Sequence, residues 1–239
     1  MIFVKNTPNY AGVTICGDHQ DIEELYDALH DIVSDEEDYP SYVSSRIRVL
    51  GVCYDLRHAL MGDREIIFVD NGMDEDKMKK TSMITPGKNV YLSIEVLWPE
   101  MLFVQMVLND FILLNQRKKR RPLWDKTIAT VRKLQAAVAD CLKQTVSEAA
   151  YKRMINSMIR DYPWVDYYAT QYLDILNCRF IDMDREKRKK NITIMAKRLV
   201  EQGQEYQEVR RDVMAAARNH NCSVDNIRVN TEYPEEIDW

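Results

Sequence analysis

The longest apolar segment of the chain runs from Val90 to Leu114, where 18 of 25 residues are hydrophobic. Its pattern predicts a strand over Val90–Leu97 that leads into a helix over Glu100–Gln116, because Pro99 stands where a helix tolerates proline. A helix that is apolar on nearly every side is typical of a protein core. The segment is interrupted at Glu95, Pro99, Glu100, Asn109 and Asp110, whereas a membrane span needs about 20 apolar residues in a row. We therefore expect these two elements to form the centre of the fold, with no membrane contact.

The first 80 residues alternate between short apolar segments and amphipathic helices. Asp18 is placed to cap a first helix, and Pro40 opens a second. The spacing of apolar residues predicts strands at Met1–Val4, Gly12–Cys16 and Glu65–Val69, helices after Asp18 and over Ser41–Leu60, and a polar helical turn at Met73–Lys80. Together with the central segment, these elements predict an α+β fold in which a small antiparallel or mixed sheet packs on helices.

Beyond residue 116 the pattern is helical. The run RKKRRP at 117–122 combines five cations with a proline and is the best candidate for a boundary. The predicted helices are Leu123–Val146, Ser147–Arg160, one that starts at Pro163, and Asp184–His220, which Gly203 divides. Apolar residues then alternate in the tail, which predicts an edge strand. We expect an α+β unit at 1–116, an all-helical unit at 122–222 and a tail at 223–239.

Charge and cysteine content narrow the class of protein. The net charge of −5 divides into −7 over residues 1–120 and +2 over residues 121–239, which favours attraction between the halves or different partners for each. The five cysteines are at least 37 residues apart, so they match no zinc motif, and an odd, scattered set is typical of a reducing compartment. The first ten residues have no apolar region of the length a signal peptide needs. We therefore expect a cytoplasmic protein.

The segment from Arg57 to Glu65 is the only candidate for catalysis. It places His58 close to Asp63 at a helix-to-strand junction, where a carboxylate can hold a histidine ready for proton transfer. The structural alternative is that Arg57 and Arg64 pair with the acidic segment 18–38 and that His58 caps its helix. We favour the structural alternative, since the sequence shows no nucleophile beside a base and no glycine-rich phosphate loop.

Two basic runs, 117–121 and 185–190, suggest an alternative function in nucleic-acid binding. Cations in the first run can contact phosphates while the nearby Trp124 stacks on a base. The candidate residues are Arg117, Lys118, Lys119, Arg120, Arg121 and Trp124. The structural alternative, which we favour, is that both runs are solvated helix ends, and the acidic remainder of the chain argues against a nucleic-acid footprint.

Aromatic residues cluster around Trp164, which has four tyrosines nearby in the sequence: Tyr162, Tyr167, Tyr168 and Tyr172. Such a set resembles a stacking platform or an interface patch, but helical spacing favours core packing. Histidines offer no metal site, because His19 and His30 lie eleven residues apart on one helix. We therefore expect neither a metal nor a cofactor.

Three segments carry a resemblance to a known family. They are MIFVKNTPNYAGVTICGD, YDLRHALMGDREIIFVDNGMDEDKM and NVYLSIEVLWPEMLFV. They resemble an uncharacterised family of Gram-positive bacterial proteins that is defined only as a domain of unknown function. The resemblance covers about residues 1–115. It implies a bacterial cytoplasmic protein, and it transfers no catalytic residue.

These observations favour a non-catalytic protein-interaction or regulatory module. A protein partner or a second copy of the chain is expected, because aromatic and methionine residues are frequent on two-sided helices and no catalytic set is visible. Nucleic-acid binding through the two basic runs is less favoured. An enzyme with its site at the His58–Glu65 corner is the third hypothesis.

Overall fold

The computed structural model describes residues 1–159 and 169–239. Within them, four strands form one antiparallel sheet in the order β1-β2-β4-β3. The strands are β1 (Phe3–Asn6), β2 (Gly12–Gly17), β3 (Ile66–Asp70) and β4 (Lys88–Leu97). The predicted hairpin is present, since β1 pairs with β2 antiparallel, and β2 also pairs with β4. The α+β class is therefore confirmed, and the sheet is purely antiparallel.

Helices make up most of the remaining described chain. They are α1 (His19–Val33), α2 (Val43–Leu60), α3 (Glu75–Thr81), α4 (Trp98–Lys119), α5 (Lys126–Thr145), α6 (Glu148–Met158), α7 (Ala169–Ile181), α8 (Arg185–Glu201) and α9 (Gln204–His220). Asp18 caps α1 as expected, because its carboxylate accepts from the N–H of Asp21. Gly203 separates α8 from α9 and thereby confirms the predicted division.

Helix α4 lies at the centre of the molecule, as its apolar sequence predicts. Fourteen of its residues are buried, and it contacts α1, α2, α5, α7 and α8. Its buried polar residues are paired inside the protein. The Gln105 side chain donates to the carbonyl of Gln135, and the Gln135 side chain donates in return to the carbonyl of Gln105. Asn115 donates to the carbonyl of Asp31. Of the helices in residues 1–159 and 169–239, none combines the length and apolarity that crossing a membrane requires.

One hydrophobic cluster runs through both predicted units, from Ile2 on the sheet side to Tyr206 in α9. The 117–122 run ends α4 and leads into α5, where the carboxylate of Asp125 caps the new helix. This run is thus a connection between two packed helices. The division of the chain into units at 1–116 and 122–222 stays a prediction.

The tail does not form the expected edge strand. Residues Val224–Asn226 make one 3₁₀ turn, and the chain beyond them is irregular. Instead of pairing with the sheet, the tail is held by side chains. Gln171 of α7 donates to the carbonyls of Val224 and Ile227, and the Tyr233 hydroxyl donates to Asp174. Side-chain contacts with α7 therefore override the alternating pattern.

The aromatic cluster around Trp164 falls largely outside the described residues. The predicted helix start at Pro163 and the tyrosines at 162, 167 and 168 lie there too. Tyr172 is described, and it is buried against Tyr206 with the ring planes at 86°. For this tyrosine, core packing is confirmed.

Candidate functional site

The structure does not assemble a catalytic pair at the His58–Glu65 corner. Nδ1 of His58 lies 2.8 Å from the carbonyl of Tyr54, and the two rings pack with their centres 4.1 Å apart. Asp63 is exposed, and the hydrogen bond that joins these residues runs from its backbone N–H to the carbonyl of His58. His58 thus sits at a helix end, in agreement with the structural alternative.

The expected pairing of the corner with the acidic segment 18–38 is wrong. Arg64 follows the end of α2 and pairs at 2.7 Å with Asp55, which lies in the last part of that helix. Arg57 is exposed, and no ion pair is found for it among the described residues. The acidic segment contacts a different set of cations, because α1 packs beside the end of α4.

The first basic run belongs to that set. Lys118 pairs with Asp38, Lys119 with Asp31 at 2.7 Å, and Arg121 with Asp31 at 2.6 Å. Arg117, Arg120 and Trp124 are exposed. Half of the candidate phosphate-binding group is therefore occupied by the protein's own carboxylates.

The second basic run lies at the other end of the molecule. Arg188 is buried, and it donates to the carbonyl of Asn9 near the β1–β2 turn. Ile181, just before this run, packs with Leu97 at the start of α4. The first run ends α4, and a helix of 22 residues is about 33 Å long. The two runs thus do not converge on one surface.

Strand β3 forms an open edge of the sheet. The main chain of Glu65 accepts from Ser93, and Asn71 donates to Gly87. Because hydrogen bonding alternates along an antiparallel pair, the odd-numbered residues of β3 face β4, and Ile66, Phe68 and Asp70 direct their N–H and C=O groups outward. The other edge strand, β1, packs beside α5. β3 therefore offers unpaired backbone groups.

The side chains at this edge are apolar and exposed. Ile66 stands opposite Leu92 and Phe68 opposite Val90, so the four side chains share one face of the sheet. Phe68 is 67% exposed, Val90 53% and Ile66 48%. Edge strands are normally protected by lysine, proline or a bulge. Ile66–Val69 has no such residue. We call this feature, β3 with Val90 and Leu92, the β3 edge.

A cleft of about 900 Å³ is the second candidate. Its walls come from α2, the end of β4, α7 and the C-terminal tail. An ion pair lies at its base, where Arg48 contacts Asp174 at 2.7 Å and Glu100 at 3.4 Å. Neither His58 nor Asp63 belongs to its lining.

Residues 2–239 match the family model of a domain of unknown function, DUF6904. The chain belongs to the DUF6904 family. The match covers nearly the whole chain, so the expectation that the resemblance stops near residue 115 is wrong. No curated protein and no solved structure matches this DUF6904 chain.

Several residues that line the 900 Å³ cleft could not be recognised as neighbours from the sequence. Arg48, Glu100 and Asp174 are more than 50 residues apart, and they meet only because α2, α4 and α7 pack together. One local signal exists, the i, i+3 spacing of Asp174 and Asn177 on α7, which places both on one helix face.

In residues 1–159 and 169–239, no three histidine, cysteine or acidic side chains are grouped to hold a metal ion.

Proposed function

We propose that this DUF6904 protein is a non-catalytic protein-interaction module that forms a dimer by antiparallel pairing of β3 with β3 of a second copy. The observation that carries the proposal is the β3 edge, where outward backbone groups and exposed apolar side chains coincide. Addition of a strand from a second copy would give the outward backbone groups hydrogen-bond partners. It would also bring the exposed apolar side chains into contact across the junction.

Charge complementarity favours a second copy as the occupant. A two-fold axis at Ile67 sets Ile66 opposite Phe68 of the second copy, and Arg64 opposite its Asp70. A two-fold axis at Phe68 sets Ile66 opposite a carboxylate. Both registers use the outward-facing residues, and the second also sets Phe68 opposite Phe68. Only the first pairs a cation with an anion and keeps Ile66 opposite an apolar side chain.

The location of the protein is part of the proposal. We place it in the cytoplasm of a bacterium, as its resemblance implies. All five cysteines are free, and Cys16, Cys53 and Cys141 are buried, which fits a reducing compartment. Burial raises the pKa of the Cys16 thiol to about 11, so it stays protonated and unreactive at neutral pH.

Sedimentation equilibrium from 1 to 200 μM tests the dimer. The wild type is expected to reach twice the chain mass of 28.2 kDa. Phe68→Lys is expected to remain a monomer, because a charged side chain blocks edge pairing. Ile84→Lys is the matched control, since Ile84 is fully exposed but lies in the loop between α3 and β4. It is expected to dimerise like the wild type.

A charge exchange tests the register. Arg64→Glu is expected to weaken the dimer several-fold, and adding Asp70→Arg is expected to restore it, because exposed ion pairs contribute about 0.2–1 kcal/mol each. Asp55→Asn controls for the loss of the intramolecular partner of Arg64. A wild type that is monomeric at every concentration, or a Phe68→Lys variant that still dimerises, would overturn the proposal.

A further inference from the structure

The 900 Å³ cleft has an acidic lining. Its side chains include five carboxylates and two arginines; the carboxylates are Asp55, Glu95, Glu100, Asp174 and Asp225. One of the arginines, Arg48, is already bound by Glu100, Asp174 and the carbonyl of Thr170. The other, Arg228, is exposed. Arg64 lies outside the lining and pairs with Asp55, but the carboxylates still outnumber the arginines. The cleft therefore presents an excess of negative charge to anything that enters it.

A buried acceptor in this lining has no partner. Asn177 is 1% exposed, and its Nδ2 donates to Glu100 Oε2 at 2.8 Å and to the Tyr233 hydroxyl at 3.2 Å. These two bonds fix the orientation of the amide. Its Oδ1 is left without a hydrogen bond in the described residues. An orphaned acceptor costs about 1–3 kcal/mol, so a donor that reaches Oδ1 binds with that advantage.

Two carboxylates nearby are short of partners as well. Oε2 of Glu100 accepts from Asn177 and Arg48, and no hydrogen bond to Oε1 is found in the described part of the chain. The Glu95 side chain, half-buried, likewise has no hydrogen bond there. Burial raises the pKa of both groups, and the neighbouring Glu65 raises that of Glu95 further. A cation in the cleft would relieve this desolvation.

The remaining lining suits an apolar stem. Ile47, Val52 and Ile237 line the cleft, and aromatic side chains join them at Tyr54, Tyr233 and Trp239. Aliphatic walls take methylene groups out of water, and aromatic faces attract cations. The orphaned acceptor of Asn177, the carboxylate oxygens without a hydrogen bond and the apolar walls thus favour a donor-bearing cation on a hydrocarbon chain.

We propose that the cleft binds a primary alkylammonium group, with its N–H donors on Asn177 Oδ1 and its charge beside Glu100 and Glu95. The bound molecule belongs to the aliphatic amines, and a diamine fits the excess of acidic side chains best. This site is separate from the β3 edge, because neither Ile66, Phe68 nor Val90 lines the cleft.

Isothermal titration of the full chain at low ionic strength tests the site with four probes. The probe 1,5-diaminopentane is expected to bind with a Kd below about 1 mM. Its permethylated analogue keeps the charge but has no N–H donor, and is expected to bind at least tenfold more weakly. The neutral probe 1,5-pentanediol is expected not to bind. Nα-acetyl-lysine methylamide identifies the source of the ammonium group, since tighter binding than the diamine indicates a lysine side chain.

Glu95→Gln is the decisive variant, because the Glu95 side chain makes no hydrogen bond or ion pair within the described residues, and its charged neighbours are Glu65 and Lys5. It is expected to weaken diamine binding at least fivefold without lowering the thermal midpoint. Glu65→Gln is the matched control, since it removes the same charge beside Glu95 but outside the lining. It is expected to change the Kd less than twofold. Asn177→Leu is expected to abolish the preference for the primary amine over its permethylated analogue.

Three results would overturn the proposal. They are an absence of heat with any amine up to 10 mM, equal affinity for the permethylated probe, and equal effects of Glu95→Gln and Glu65→Gln. Each of them can be obtained with folded protein, because neither glutamate substitution breaks a hydrogen bond of the described structure.

Discussion

At the scale of single residues, Arg188 shows how one buried side chain joins distant parts of the chain. It is 3% exposed, and it donates to the carbonyls of Phe180, Ile181, Asn9 and Asp238. It therefore covers the end of α7 and fastens both the β1–β2 turn and the tail. The guanidinium suits this task because it offers five donors in a rigid plane.

Replacing Arg188 by methionine is expected to lower the free energy of unfolding by about 2–4 kcal/mol, since several buried carbonyls lose their donor. Arg188→Lys is expected to recover little of this free energy, because a single ammonium group cannot reach all four carbonyls. Lys190→Met, in the same run but exposed, is expected to stay within about 0.5 kcal/mol of the wild type. Urea unfolding measures all three; a silent Arg188→Met would show that the four bonds contribute nothing.

The sequence could not single out Arg188 within the run 185–190. Five of these six residues are cations, and nothing local distinguishes the buried one. Its partners Asn9 and Asp238 lie 179 and 50 residues away. Lys190 is exposed, as expected of a solvated helix end, whereas long-range packing buries Arg188.

At the scale of elements, the docking of α1 on the ends of α4 and α5 depends on Asp31. Burial alone would raise the pKa of this carboxyl. Hydrogen bonds from Lys119, Thr127 and Arg121 outweigh that effect and lower the pKa to about 2. One side chain of α1 is thereby held by α4, by the connecting turn and by α5.

The stability that Asp31 contributes is expected to depend on pH. A lowered pKa means that the contribution is complete above the ordinary pKa of about 4 and is lost as the pH falls towards 2. Asp31→Asn is expected to cost about 1–2 kcal/mol at pH 7 after screening of this one-third exposed group. It is also expected to flatten the fall of stability between pH 4 and 2. Asp27→Asn, on the exposed side of α1, is the control, and equal curves for both variants would contradict this role.

Element types were predictable along most of the chain, because hydrophobic period follows local geometry. The β4–α4 junction at Trp98 is confirmed, with the helix ending three residues later than expected, at Lys119. The predicted edge strand in the tail is absent, because the alternating residues of the tail contact α7 and not a strand. The open edge of β3 could not be predicted, since strand order is decided by which strands pair with β4.

At the scale of the whole molecule, the two predicted units share one hydrophobic cluster. Met154 of α6 and Ile192 of α8 belong to the same cluster as Ile15 of the sheet. The connection between α4 and α5 is nevertheless exposed, with Leu123 and Trp124 about four-fifths accessible. A cut at this connection is therefore expected to break the chain and to leave the hydrophobic cluster intact.

A protease recognition site inserted between Leu123 and Trp124 is expected to be cleaved in the native protein. The two fragments are expected to elute together in gel filtration, at the volume of the uncut chain, because both contribute to one core. They are expected to separate only in denaturant. Native separation into two folded fragments would instead establish two independent units.

The central claim, dimerisation through β3 in one register, is tested most directly by disulfide formation between copies. In a background with Cys178→Ser and Cys222→Ser, Ile67→Cys brings two thiols together across the two-fold axis. Cysteines of such a non-hydrogen-bonded pair lie within the Cα distances that a disulfide allows. Mild oxidation is therefore expected to give a covalent dimer of Ile67→Cys on a non-reducing gel, and little or none of Phe68→Cys. Monomeric Ile67→Cys, or efficient cross-linking of Phe68→Cys alone, would contradict the account.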